Sequence, residues 1–249
     1  MRKKCQRKRK LLVKSEFIIL GQKASTQFDS VQVLKESEAQ SKESGNLLKR
    51  QRKGSVNLLS VKAYLDTNLL IEHCWWKFFG EEKGRMSNVV TLVERGFQGD
   101  YHSYISYINI MELSIHLTDW FLLEKMVRSG FSYAYFRRER KKYNLTVDEK
   151  SFINRIVQEY QSSPNVFYIE IDEISNAFFE KVKLLVDNYL EFEDALHFVF
   201  AQASESKYFV TKDDELRTRL QKIISKKLID VPFPPTLIKP KSFLKLLNK

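Results

Sequence analysis

From Lys62 onward, short apolar runs of β type alternate with segments whose apolar residues recur at helical spacing, and this alternation leaves few folds open. Val61 to Leu65, Tyr101 to Ser106, Val166 to Ile171, Tyr208 to Thr211 and Thr236 to Ile238 read as strands. Between them fall helices at Thr67 to Phe79, Ser87 to Gly96, Ile108 to Val127, Asp172 to Val186 and Glu193 to Ala203. A basic helix then runs to about Lys227, and a short helix follows the last strand. Strands separated by helices predict an α/β fold, with a central parallel sheet of about four to five strands wrapped by helices on both faces.

The 249 residues suffice for one domain of ordinary size plus an extension, and 43% hydrophobic with 29% charged residues is a globular composition. The charge is unevenly spread. Residues 1–61 hold 15 Lys/Arg against 5 Asp/Glu, residues 62–216 hold 18 against 25, and residues 217–249 hold 9 against 1. A mildly acidic body thus lies between basic ends, the pattern expected where the body concentrates carboxylates and the ends hold a polyanion. Residues 1–61 have no long periodic apolar segment and read as a basic extension, largely disordered alone, with a short strand or docking segment at Phe17 to Leu20. Residues 62–249 read as the folded domain, with a helical segment at about 131–163 that breaks near Asn144. Cys5 and Cys74 support neither a disulfide framework nor a zinc site, which fits a reducing cytoplasm. The run Leu11 to Leu20 is too short and too polar to span a membrane or to serve as a signal-peptide core.

Four acids fall where such a sheet would bring them together. Asp66 ends the first strand, Glu112 lies in the helix after the second, Asp194 opens the helix before the fourth, and Asp213 follows the fourth. Each has an ordinary reading as a helix cap or solvated charge. Together they offer the clustered oxygen ligands that Mg²⁺ or Mn²⁺ requires, and a cation would offset their mutual repulsion. Asn68 and Thr211 are placed to hydrogen-bond and orient them, while Glu193 and Asp214 adjoin two of the acids and could substitute as ligands.

These residues resemble those of the PIN-domain ribonucleases, including the VapC-like toxins of bacterial and archaeal toxin–antitoxin pairs. Leu65-Asp66-Thr67-Asn68 looks like the family's opening motif, and Met111-Glu112-Leu113 falls where its glutamate is expected. Asp194-Ala195-Leu196-His197 with Ala201 looks like its third motif, and Val210-Thr211-Lys212-Asp213 with Leu216 its fourth. The likeness covers roughly residues 62–248, reaching Leu237-Ile238-Lys239-Pro240 in the last strand, whereas the basic arm and the segment Tyr133 to Pro164 are absent from the smallest toxins. The resemblance implies a metal-dependent endoribonuclease. Its carboxylates Asp66, Glu112, Asp194 and Asp213 would hold Mg²⁺ or Mn²⁺ and hydrolyse RNA to a 5′-phosphate and a 3′-hydroxyl. It also implies RNA as a partner and, for a toxin, a cognate antitoxin protein and a homodimer. The family's spacing, Thr then Asp two residues on, implies Asp213 over Asp214.

The stretch Phe131 to Tyr143 interleaves Arg137, Arg138, Arg140, Lys141 and Lys142 with aromatic rings, a combination suited to gripping a single strand while stacking its bases. His197 reads as a packing histidine, His73-Cys74 lacks partners at zinc spacing, and Trp75, Trp76, Phe78 and Phe79 read as packing for the first helix. Among rival activities, a haloacid-dehalogenase phosphatase needs a second aspartate where Asn68 stands, and a response-regulator receiver needs an acidic pair before a separate phosphoacceptor. The rival from another class is a non-catalytic RNA-binding or scaffolding module that keeps a PIN-like fold.

Overall fold

The computed structural model describes residues 61–80, 87–170, 176–228 and 233–248. The basic arm, with its Phe17 to Leu20 run, lies outside the described residues. The described residues divide into two units, one holding residues 61–121 and 144–248 and the other residues 122–143.

The larger unit begins with β1 (Lys62–Leu65), followed by α1 (Thr67–Phe79), α2 (Asn88–Phe97), β2 (His102–Ser106) and the start of α3 (Tyr107–Arg128). It resumes with α4 (Val147–Gln161), β3 (Val166–Ile169), α5 (Asn176–Asp187), α6 (Phe192–Ala203) and β4 (Tyr208–Val210). It ends with α7 (Asp214–Ser225), β5 (Thr236–Ile238) and α8 (Pro240–Leu247). The five strands form one all-parallel sheet in the order β3-β2-β1-β4-β5. This is the α/β architecture that the alternation predicts, and it is consistent with a PIN-like fold.

Helices cover both faces, and the register shows how. Tyr64 pairs with Phe209 and Leu65 with Val210 across β1 and β4. Because successive strand residues point to opposite faces, Tyr64 and Phe209 share one side, where Phe178 of α5, Phe198 of α6 and Leu220 of α7 close over them. Tyr208 points the other way and meets Phe243 of α8 at 5.3 Å, with Tyr101 against the same ring at 5.2 Å. Phe198, Phe209 and Phe243 have no exposed surface, and burying such a ring contributes roughly 2–3 kcal/mol.

Local chemistry sets the ends of these elements. Gly80 closes α1 in the left-handed region at φ 66°, where a side chain would be strained. The expected break near Asn144 is a capping box: Thr146 accepts from the Glu149 N–H at 3.2 Å, and Glu149 accepts from the Thr146 N–H at 2.6 Å. Trp75 and Phe79 of α1 pack on Trp120 of α3 at 5.0 and 4.7 Å, the packing role their sequence suggests. No helix among the described residues is long and apolar enough to cross a membrane.

In the smaller unit, the described residues 122–143 are the end of α3 and three consecutive single turns, Tyr133–Tyr135, Phe136–Glu139 and Arg140–Lys142. Tyr133 stacks with Phe136 at 6.2 Å, and Phe131 meets Tyr143 edge-on.

Candidate active site at the sheet switch point

From β1 the chain winds to β2 and β3 on one side of the sheet, then crosses back to β4 and β5 on the other. The crevice beyond the carboxyl ends of β1 and β4 is therefore the switch point, the place where open α/β sheets bind ligands. Asp66 stands at the end of β1, and Thr211 and Asp213 follow β4. A cleft of about 510 Å³ opens there, and Asp66, Asn68, Glu112, Asp194 and Asp213 all line it. The expected substitute Glu193 lines it as well, whereas Asp214 is not among its walls and pairs with Arg217 and Lys239.

The four acids are held in different ways. Asp66, only 5% exposed, sits at the N-cap position of α1 yet makes no capping hydrogen bond with its side chain. Its Oδ2 instead accepts from the Thr211 hydroxyl and from Asn68 Nδ2, each at 2.5 Å. Asn68 Oδ1 is buried without a hydrogen-bond partner among the described residues. Asp213 is a true cap, its Oδ1 accepting from the N–H groups of Glu215 and Leu216 at 2.7 and 2.9 Å. Asp194 stands in the first turn of α6, and Glu112 is one turn inside α3.

Electrostatics couple these groups. Burial pushes the Asp66 carboxyl up, with His197 and the Thr211 hydrogen bond pulling down and Glu112 adding to the rise. Asp194 is pushed up to about 6, first by burial and then by the charges of Asp66, Glu191 and Asp213, against His197. Carboxylates that raise one another in this way share a site.

His197 is buried, as its packing reading expects, and it also lies in the cleft wall, because α6 turns its buried face onto β1 and α3. Nε2 lies 2.9 Å from Glu112 Oε2 and 3.2 Å from the Thr67 hydroxyl, while Nδ1 lies 2.9 Å from the Tyr64 hydroxyl. A carboxylate only accepts, so Nε2 carries a hydrogen. Tyr64 is fixed in turn by Ser106 Oγ at 2.6 Å and by donating to Asn109 Oδ1 at 2.8 Å. Burial pushes the imidazole down, but Glu112, Asp66 and Asp194 together hold it above its ordinary value. The same contact holds Glu112 below the usual range despite its burial.

His116 and Asp119 also line the cleft, and sequence reasoning missed them. With Glu112 they stand at i, i+4 and i+7 of one helix, a spacing that puts all three on one face and could have revealed them.

The remaining sequence candidates belong to the smaller unit. Arg138 lies over the Tyr135 ring at 4.8 Å and Arg140 over Phe136 at 5.7 Å. Arg138 and Lys142 both bind the Glu139 carboxylate, at 2.8 and 2.5 Å, and Lys141 is exposed. The side chain of Arg137 lies outside the described residues.

The donor set suits a hard divalent cation in both type and charge, since carboxylate oxygens from four elements converge on one cleft and repel one another. As the side chains stand, no three His, Cys, Asp or Glu among the described residues are grouped closely enough to hold an ion. Comparison with family models, with curated proteins and with solved structures gives no match for this chain.

Proposed function

We propose that the chain is a metal-dependent endoribonuclease of the PIN type. The observation that carries this reading is the gathering of Asp66, Glu112, Asp194 and Asp213 on one cleft at the switch point, with Asp194 pushed up to about 6 by burial and by its acidic neighbours. Mg²⁺ or Mn²⁺ held by these four would supply Lewis acidity to an RNA phosphodiester. The chain's own residues do the positioning. Thr211 and Asn68 hold the Asp66 carboxylate, His197 holds Glu112, and α7 holds Asp213 through its cap. A cytoplasmic toxin with an antitoxin partner, or a homodimer, is the version of this reading that the VapC likeness favours.

One observation favours the second reading, a non-catalytic RNA-binding or scaffolding module. Glu112 is engaged by His197, and the acids are not drawn together as ligands. A single experiment separates the two. The full chain, incubated with single-stranded RNA and Mn²⁺ or Mg²⁺, should cut it to 5′-phosphate ends, and chelation should stop the cutting. Asp66→Asn and Asp194→Asn should each abolish it while leaving the thermal melt intact. RNA binding without cutting under either ion would overturn the nuclease reading and leave the binding module, and undiminished cutting by either variant would overturn the assignment of the acids.

A further inference from the structure

Lys212 and Asp213 are consecutive, yet they line different clefts, as do Ile71 and Glu72 of α1. The second cleft, of about 300 Å³, is walled by Lys212, Lys239, Lys241, Glu72 and Ser87. It is also where α2 and α8 begin, and helix starts favour anions. Three cations thus stand beside an acidic cleft that by itself repels a polyanion.

An anion already sits among them. The Glu72 carboxylate receives the Lys212 ammonium on Oε2 and the Ser87 hydroxyl on Oε1 at 2.7 Å, while the same hydroxyl accepts from the Val90 N–H at 3.1 Å. Lys239 is engaged from the side by Asp214 at 2.8 Å, and Lys241 has no acidic partner among the described residues. The Lys212 and Lys239 side chains are 45% and 49% exposed, so both pairs are screened and readily exchanged.

We propose that this lysine cleft binds a backbone phosphate of single-stranded RNA that flanks the cleavage site, and that Glu72 is an internal stand-in which the phosphate displaces from Lys212. The proposal rests on the nuclease reading for its ligand, but it concerns binding and is tested as binding. A backbone phosphodiester carries the same single negative charge as the carboxylate it replaces, but it meets Lys241 as well and releases the counterions held along the RNA, so the exchange is favourable at low salt. The contact reads no base, so it fixes register and carries no sequence preference.

The test uses the full chain carrying Asp194→Asn, so that RNA is not consumed, and fluorescence anisotropy with a labelled single-stranded RNA over a range of salt. Lys212→Ala with Lys241→Ala should raise Kd about tenfold at low salt and flatten the salt dependence by about one counterion. Glu72→Gln should act in the opposite direction and lower Kd, because it removes the competitor and keeps the shape. In the cutting-competent chain, Lys241→Ala alone should raise KM and leave kcat unchanged. These lysines are exposed, so the variants should melt with the parent. Unchanged Kd and salt slope in the lysine variant, or weaker binding by Glu72→Gln, overturns the proposal while a cutting parent keeps the nuclease reading. A parent that binds RNA but cuts none overturns that reading and leaves this cleft to be judged by the same variants. A parent that binds no RNA overturns the proposal.

Discussion

The larger unit contains one hydrogen-bonded grouping twice, in two settings. In Tyr160–His73–Glu94 and in Tyr64–His197–Glu112, a buried imidazole meets a tyrosine hydroxyl at Nδ1 and a glutamate at Nε2. The first ties α1, α2 and α4 together. Rings seal its imidazole, though Glu94 is partly exposed: Phe97 stacks on His73 at 5.5 Å, Trp76 lies 6.0 Å away, and Tyr160 itself stands edge-on at 5.8 Å. The second ties β1, α3 and α6 together, and one side of it opens on carboxylates. Asp66 and Asp194 both act on His197 there. The same three side chains therefore serve as a brace where rings enclose the imidazole, and as a counter-charge and a support for a carboxylate where acids face it.

The largest effect that divides the two settings should come from His73. His73→Ala removes a fully buried ring and leaves the buried Tyr160 hydroxyl and the partly exposed Glu94 carboxylate without their shared partner, which should cost about 3 kcal/mol. In a chain of this size that lowers Tm by about 2–4 °C for each kcal/mol. On the proposed nuclease reading, RNA cutting measured well below the melt should be that of the parent. A loss below about 1 kcal/mol would mean that the sealed grouping is not a brace.

How much of this the sequence reveals depends on the distance over which a signal acts. Strands and helices are legible because their periodicity is local: Thr67–Phe79 with its closing Gly80, and Thr236–Ile238, are found as the pattern predicts. The acids are legible because the ends of parallel strands gather whatever follows them, so Asp66 and Asp213 need only their place after β1 and β4. The histidines are not legible. His197 is separated from Glu112 by 85 residues and from Tyr64 by 133, and which face of α6 meets β1 is settled by packing across the sheet. His73 is just as opaque, its partners lying 21 and 87 residues away. The lysine cleft is hidden for the same reason, since Lys212, Lys239 and Ser87 meet only once β4, α8 and α2 are in place.

A smaller effect on stability, with a separate reading on metal, should come from His197. His197→Gln keeps volume and some hydrogen bonding, so about 2 kcal/mol should be lost on thermal unfolding. The support of Glu112 goes with it, and groups that orient a ligand typically contribute tenfold or more to metal affinity. On the proposed metal-dependent reading, Mn²⁺ titrated into the full chain and followed by electron paramagnetic resonance should therefore bind about tenfold more weakly to this variant than to the parent. The His73→Ala protein should bind it as the parent does. Equal affinities in both variants would erase the functional half of the comparison and leave two braces.

The smallest and most specific effect should come from Glu94, and it is read through pH. The His73 hydrogen bond holds the Glu94 carboxyl below its ordinary value of 4.5, with burial pulling the other way and the charges of His73 and Lys77 adding to the lowering. The folded protein therefore gives up this proton more readily than the unfolded chain does. A group depressed in this way stabilises the fold fully above its unfolded pKa, and the contribution is lost as the pH falls through the lower folded value. Glu94→Gln removes the titration while keeping an amide of the same shape beside His73. At neutral pH the variant should be less stable than the parent by about 1 kcal/mol, less than a full hydrogen bond to a charged group because Glu94 is partly exposed and the amide keeps part of the contact. As the pH is lowered below 4.5 the parent should lose that advantage and the two unfolding curves should converge. The comparison of variant with parent at each pH cancels the other carboxylates, which titrate in both. A gap that stays constant across the acid range would show that folding does not lower the Glu94 carboxyl and that the residue acts through shape alone.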